Sequence, residues 1–224
     1  MNNLLQSPTG ALGALFFLPG QYLFKRFEDG RETTKALSSE QIARAFRDYR
    51  VDSGWITRKI LRYREEPEGN YILSYEPAGQ RTIFVESEGA EVAEITIPLP
   101  TLILFGHRSD FYLWATKSKT VNPKSKLFAA PLPNIGGNSS GKICFGKTEV
   151  PEARVETLDA VWKLIFQTPF NRDHSANKCQ SSREDVRKFL FTLANKNAGR
   201  FPNSELLEIN ATVEDLWAQA VKKK

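Results

Sequence analysis

The sequence predicts an α+β domain in which an antiparallel β-meander is followed by helices. Three observations carry that expectation. Five short β-rich runs between Tyr71 and Trp114 are parted by Gly, Pro or Asp at hairpin-like spacing. Two stretches beyond residue 157 repeat their apolar residues at helical spacing. No internal repeat or low-complexity linker divides the 224 residues, a length that can bury a real core as one domain. A hydrophobic fraction of 41% with 15 Phe and 4 Trp argues against disorder.

In chain order, residues 14–18 and 22–27 are β-rich and parted by Pro19-Gly20, which predicts an N-terminal hairpin over 1–30. Ser38 and Gln41 form a capping box ahead of Ile42, Phe46 and Tyr49, which share one helical face and predict a helix over 39–50. Asp52-Ser53-Gly54-Trp55 breaks it. Residues 61–64 are ambiguous, and Arg58, Arg62 and Arg64 read as a solvated face. The meander runs through 71–75, 81–85, 94–97, 102–105 and 111–114, and strands this close in sequence are expected to pair consecutively. Pro98 and Pro100 belong at a strand end or bend, because proline cannot donate to a ladder. Leu158, Val161, Trp162 and Ile165 follow helical spacing behind a Thr157 cap, with Pro169 just past the end. Ser182 and Asp185 suggest a second capping box, ahead of a stripe of Val186, Phe189, Leu190, Leu193 and Ala194. A last helix over 212–222 carries Leu216 and Trp217. The core is therefore expected over 36–200, with a helical extension over 201–224.

The net charge of +5 comes from 31 basic and 26 acidic residues mixed along the chain. That surplus permits nucleic-acid binding without indicating it, since no zinc finger, RNA-binding aromatic signature or basic stripe is present. Two cysteines cannot build a disulfide framework and suit a reducing cytosol. No CxxC or paired-His pattern offers a metal site. The apolar stretch 11–19 is too short to span a bilayer, so a cytoplasmic protein is expected.

The densest signal is the run from Pro133-Asn134 through Gly136, Gly137 and Gly141 to Lys142-Ile143-Cys144-Phe145. A glycine-rich loop lets the backbone approach a partner closely, and a lone thiol at its end is within reach of another protein's carboxyl terminus. Two plainer readings stand beside that one. Cys144 suits a small buried residue of a short strand, and Asn134 suits a turn whose amide bonds its own backbone. Strand alternation puts Lys142 on the side of Cys144 and Lys147 on the other. His107 reads as a turn residue and Cys179 as a bystander in a polar loop.

Pro133-Asn134 with Gly141-Lys142-Ile143-Cys144 resembles the His-Pro-Asn…Gly-x-Ile-Cys signature of ubiquitin-conjugating enzymes. The wider frame, residues 128–134 with Phe170-Asn171-Arg172-Asp173-His174, is similar more specifically to the prokaryotic ubiquitin-conjugating-like family D. Leu132 stands where the signature has its loop-bracing His, and the Asn-to-Cys loop is longer. The resemblance implies a ubiquitin-conjugating-enzyme-like fold: a helix, an antiparallel meander, an irregular cysteine flap and trailing helices. The order read from the pattern agrees, apart from the extra hairpin and one additional strand.

The resemblance also implies chemistry. Cys144 would carry a small ubiquitin-like modifier as a thioester, Asn134 would stabilise the oxyanion when an amine attacks, and His174 would serve as the base. No cofactor is implied. The partners implied are the modifier, a ThiF-like activating enzyme and a metal-dependent isopeptidase of a PRTRC-type cassette. The alternative is a non-catalytic module of the same fold that binds the modifier or an assembly partner; a third reading is a Cys-His hydrolase. Exposure of Cys144 separates the carrier from the module, because a sulfur sealed under Phe145 could not exchange.

Overall fold

Pro19 and Gly20 turn the chain between β1 (Gly13–Leu18) and β2 (Gln21–Glu28), which pair antiparallel with Leu18 opposite Gln21. The structure is a computed structural model that describes residues 13–28, 31–47, 59–66, 68–137 and 140–222. It falls into two compact units, Met1–Trp55 and Ile56–Lys224. In the first, β3 (Arg31–Leu37) adds to β2. Nothing in the sequence pattern predicts β3, because its residues are polar and almost all exposed; the Lys25–Glu32 ion pair links it to β2. Helix α1 (Ser39–Arg47) starts at the predicted capping box. The Ser38 N–H donates to Gln41 Oε1 at 3.0 Å and the Gln41 N–H donates to Ser38 Oγ at 3.1 Å. Tyr49, Arg58 and the predicted break at 52–55 lie outside the described residues.

The second unit holds β4 (Ile60–Arg64), β5 (Tyr71–Glu76), β6 (Gly79–Glu86), β7 (Val92–Leu99), β8 (Thr101–His107), β9 (Asp110–Thr116), β10 (Lys126–Ala129) and β11 (Glu208–Thr212). Six of them form one sheet in the order β11-β10-β9-β8-β5-β4, while β6 and β7 pair only with each other. This corrects the predicted consecutive meander, since β5 skips to β8 and the β6–β7 hairpin leaves the sheet. The physical reason is visible in the side chains. Leu102 to Phe105 are apolar on both faces and take a central strand, whereas β6 alternates and buries only one face. Pro98 falls on the second-last rung of the hairpin and Pro100 lies between β7 and β8, so no central ladder runs through either.

Both faces of the large sheet are covered. Ile72, Leu102, Leu104, Phe111 and Leu113 point toward Ile83, Val85 and Ile97 of the hairpin and toward α2 (Leu158–Gln167) and α3 (Val186–Asn195). Tyr71, Leu73, Ile103, Phe105 and Trp114 face Val213 and Trp217 of α4 (Val213–Lys222). β11 corrects the expectation of a purely helical C-terminal extension; it pairs with β10 through residues that carry no clear alternation. Arg62 and Arg64 are exposed, as the solvated face requires, and Arg62 also lies 4.5 Å over the Trp217 ring and 3.3 Å from Glu214.

Two caps also differ from expectation. Thr157 occupies the N-cap position of α2, but its hydroxyl accepts from the Arg154 N–H and donates to the Glu152 carbonyl instead of capping the helix. At α3 the cap is Asp185 itself, not Ser182: Asp185 Oδ1 accepts from the Arg187 N–H at 3.0 Å. Its carboxylate also takes three bonds from the buried Arg187 guanidinium, which reaches on to the Glu86 carbonyl at 3.0 Å. Burial alone would raise the Asp185 pKa, but the Arg187 bonds outweigh it and hold the carboxyl below its ordinary 3.8. Asp185→Asn should therefore cost about 3 kcal/mol at neutral pH, because it strands a buried guanidinium. A depressed carboxyl pKa supplies stability that is present above the unfolded value and lost as pH falls through the folded one. Urea unfolding of parent and variant should show the gap closing below about pH 3.8.

Candidate active site: the Asn134–Cys144 loop

The chain leaves β10 through Ala130 and Leu132, both buried in the core. Leu132, at the position of the signature's His, is fully buried and contributes packing alone. Asn134 then turns the backbone with a left-handed φ of 58°, a conformation Asn tolerates better than most residues. All four of its polar groups are engaged. Its N–H donates to the Asp173 carbonyl at 2.7 Å and its own carbonyl accepts from the Cys144 N–H at 2.8 Å. Its side-chain Nδ2 donates to the Pro169 carbonyl at 3.3 Å, and Oδ1 accepts from the Asn171 N–H at 3.2 Å. The segment that receives these bonds is itself fixed, because Phe170 pairs with β6 through its N–H to Phe84 and its carbonyl to Glu86, each at 2.8 Å.

The returning limb of the loop extends the sheet edge. β10 covers β9 only at Trp114 and Ala115. Beyond that, the Leu113 N–H donates to the Gly141 carbonyl at 2.8 Å and the Ile143 N–H to the Phe111 carbonyl at 2.9 Å. Across the loop, Ile135 bridges Ile143, with the Gly136 N–H donating to the Lys142 carbonyl at 2.6 Å. Cys144 is thus placed by main-chain bonds on both sides, yet it is exposed. Phe145 packs edge-on against Phe111, with ring centroids 6.5 Å apart, and leaves the residue before it open. The cleft beside the cysteine is lined by Asn134, Ile143, Cys144, Phe145, Ile165, Thr168 and Phe170 and encloses about 10 Å³, room for about one water.

His174 is exposed, with a left-handed φ of 50°, on the turn closed by the Asn171–Asp173 side-chain bonds. It is the Asp173 carbonyl of that turn that meets Asn134, and the imidazole is not among the groups lining the cleft. The structure therefore brings Cys144 and Asn134 together and leaves His174 on the neighbouring rim. Lys142 is exposed and paired with Asp110 at 2.9 Å, and this hydrogen bond raises the pKa of its amine. Cys179 is buried, with its thiol pKa raised by that burial. His107 ends β8 stacked on Tyr71 at 4.1 Å.

The family model for prokaryotic E2 family D matches residues 33–209. The chain belongs to that family. No curated protein and no solved structure matches it. The E2 family D match spans the whole cysteine loop and both helices that back it, and the α+β architecture with antiparallel sheets is consistent with an E2-like fold. Among the described residues of this E2-like chain, no three His, Cys, Asp or Glu gather as metal ligands, and no helix is long and apolar enough to cross a membrane.

One site residue has no sequence signal. Lys178 is 1% exposed, and its Nζ donates to the carbonyls of Ile135 at 2.6 Å and Gly136 at 3.1 Å. Burial pushes its pKa down to about 8, so the ammonium still holds its proton at neutral pH. In sequence it lies among Ser, Asn and Gln, where lysine reads as solvated.

Proposed function

We propose that Cys144 carries a small ubiquitin-like modifier as a thioester and passes it to an amine. The observation that carries this reading is the exposure of a thiol on a loop whose main chain is fixed on both flanks. A module that only binds has no use for a solvent-facing sulfur held so firmly, so the exposure favours the carrier.

In loading, the Cys144 thiolate attacks the carbonyl carbon of a thioester on the activating enzyme. A new C–S bond forms, the old one breaks, and the departing thiolate takes up the proton that Cys144 released. The exchange is nearly isoenergetic, so the site has to supply access and orientation above all. In discharge, the acceptor nitrogen attacks the same carbon, a C–N bond forms and the C–S bond breaks. The surplus nitrogen proton passes to His174, the base that the family resemblance implies, and the leaving sulfur is reprotonated from solvent. The second hydrogen of Asn134 Nδ2 is the donor proposed for the oxyanion.

A ThiF-like enzyme that consumes ATP would supply the activated modifier, and a metal-dependent isopeptidase would remove it, as in a PRTRC-type cassette. The reducing cytoplasm would keep the thiol free.

The test is a pulse-chase: protein, modifier, activating enzyme and ATP are combined, ATP is removed, and free lysine is added. The parent should form a reducible adduct that lysine discharges; failure to form one overturns the proposal. Asn134→Asp keeps the acceptor for the Asn171 N–H but removes both Nδ2 donors, the one on the Pro169 carbonyl included. It should load like the parent and discharge about a hundredfold more slowly, the usual loss for an oxyanion donor. An unchanged discharge rate would remove Asn134 from the chemistry and leave it as a turn residue.

A further inference from the structure

We infer that Lys178 is the positioning residue of the cysteine loop, doing from beneath what the signature's absent histidine is expected to do; its consequence for transfer rests on the carrier reading above. The Ile135 and Gly136 carbonyls are not used by the bonds that pair 134–136 with 142–144, and both end on the Lys178 ammonium. Those pairing bonds include the Cys144 N–H to Asn134 contact, so the lysine holds the limb on which the cysteine hangs. Lys178 is itself anchored: the neighbouring Asn177 N–H donates to Arg183 at 2.6 Å, and the Val186 N–H at the start of α3 donates to Ser175 at 3.0 Å.

The chemistry singles this residue out. Among the described residues no carboxylate lies within ion-pair distance of Lys178, and desolvation alone governs its titration. A buried cation without a counter-ion is costly, and its retention is explained by the buried Ile135 carbonyl, which would otherwise lack a donor, together with the half-buried Gly136 carbonyl beside it. Leu132 cannot supply such a bond. The loop is thus fastened on two sides, by the Asn134 amide on 169–171 and by Lys178 on 135–136.

Hydrogen exchange on the unloaded protein tests this without any modifier. Lys178→Met keeps length and removes the donors; Lys178→Arg keeps donors. In Lys178→Met the Gly136 and Cys144 amides should exchange at least tenfold faster, with Leu73 and Leu104 of the central sheet unchanged and Lys178→Arg closer to the parent. Unchanged loop amides, or an equal rise throughout the sheet, would overturn the inference. Should Lys178→Met not fold, acetic anhydride labelling of the parent decides: Lys178 must stay unmodified while the exposed Lys124 and Lys163 react, and equal labelling overturns the inference. A loop braced by Lys178 in a protein that never loads would sink the carrier reading alone. In a protein that loads, Lys178→Met should slow loading about tenfold with Lys178→Arg near the parent rate, and equal rates in all three would overturn the positioning role.

Discussion

Cys144→Ala should abolish the reducible adduct with the modifier completely and leave the fold as it is. The expectation has two parts with separate causes. The side chain is exposed and its sulfur makes no hydrogen bond among the described residues, so its removal should change stability by no more than about 0.5 kcal/mol. Its N–H bond to Asn134 belongs to the main chain and survives the substitution. The chemistry has no substitute, because the other thiol, Cys179, is buried and donates to the Ser182 carbonyl at 3.6 Å. Burial also raises its pKa, which keeps it protonated and unreactive. Cys144→Ser sharpens the test: any adduct it forms is an oxygen ester, which resists reductant. A gel run with and without reductant distinguishes all three proteins, and thermal unfolding checks that they share a fold.

Gly141→Ala should destabilise the protein as much as loss of the Asp185 carboxylate does. Gly141 sits at a φ of +63°, and a Cβ there would lie 2.4 Å from Cε2 of the Trp114 indole. The ring cannot yield easily, since Trp114 is buried between the sheet and α4 and stacks on Tyr112 at 6.1 Å. Left-handed strain of about 1 kcal/mol and overpacking of 1–3 kcal/mol together predict a loss of about 3 kcal/mol. For a domain of this size that is roughly 10 °C in melting temperature. The damage should reach the site, because the Gly141 carbonyl accepts from the Leu113 N–H two residues before the Ile143 anchor. Loading should fall with stability. Gly137→Ala serves as the control: nothing lies within 4 Å of its added Cβ, and its melting temperature should move by about 2 °C at most.

Much of the fold was legible because it follows from local rules. The Ser38–Gln41 box, the Pro19-Gly20 turn and the apolar stripe of α2 each depend on residues a few positions apart. What escaped depends on partners far away in sequence. β3 and β11 are polar strands recruited by β2 and β10, and their residues announce nothing until the neighbour is in place. The skip from β5 to β8 is decided by which strand is apolar on both faces, a comparison among strands and not a property of any one. At the candidate site, Cys144 and Asn134 stood out because the residues around them resemble a known signature, and the structure brings the two together. Lys178 could not, since 43 positions separate it from the Ile135 carbonyl it holds. His174 shows the opposite limit: a motif placed it near the loop, but the turn geometry presents the carbonyl of Asp173 to Asn134.

The most direct measurement is the mass of the intact protein after incubation with modifier, activating enzyme and ATP, followed by peptide mapping without reductant. The carrier account predicts a gain equal to the modifier less one water, carried by the peptide containing Cys144 and lost on adding dithiothreitol. A protein of unchanged mass, or an adduct on any residue other than Cys144, contradicts it.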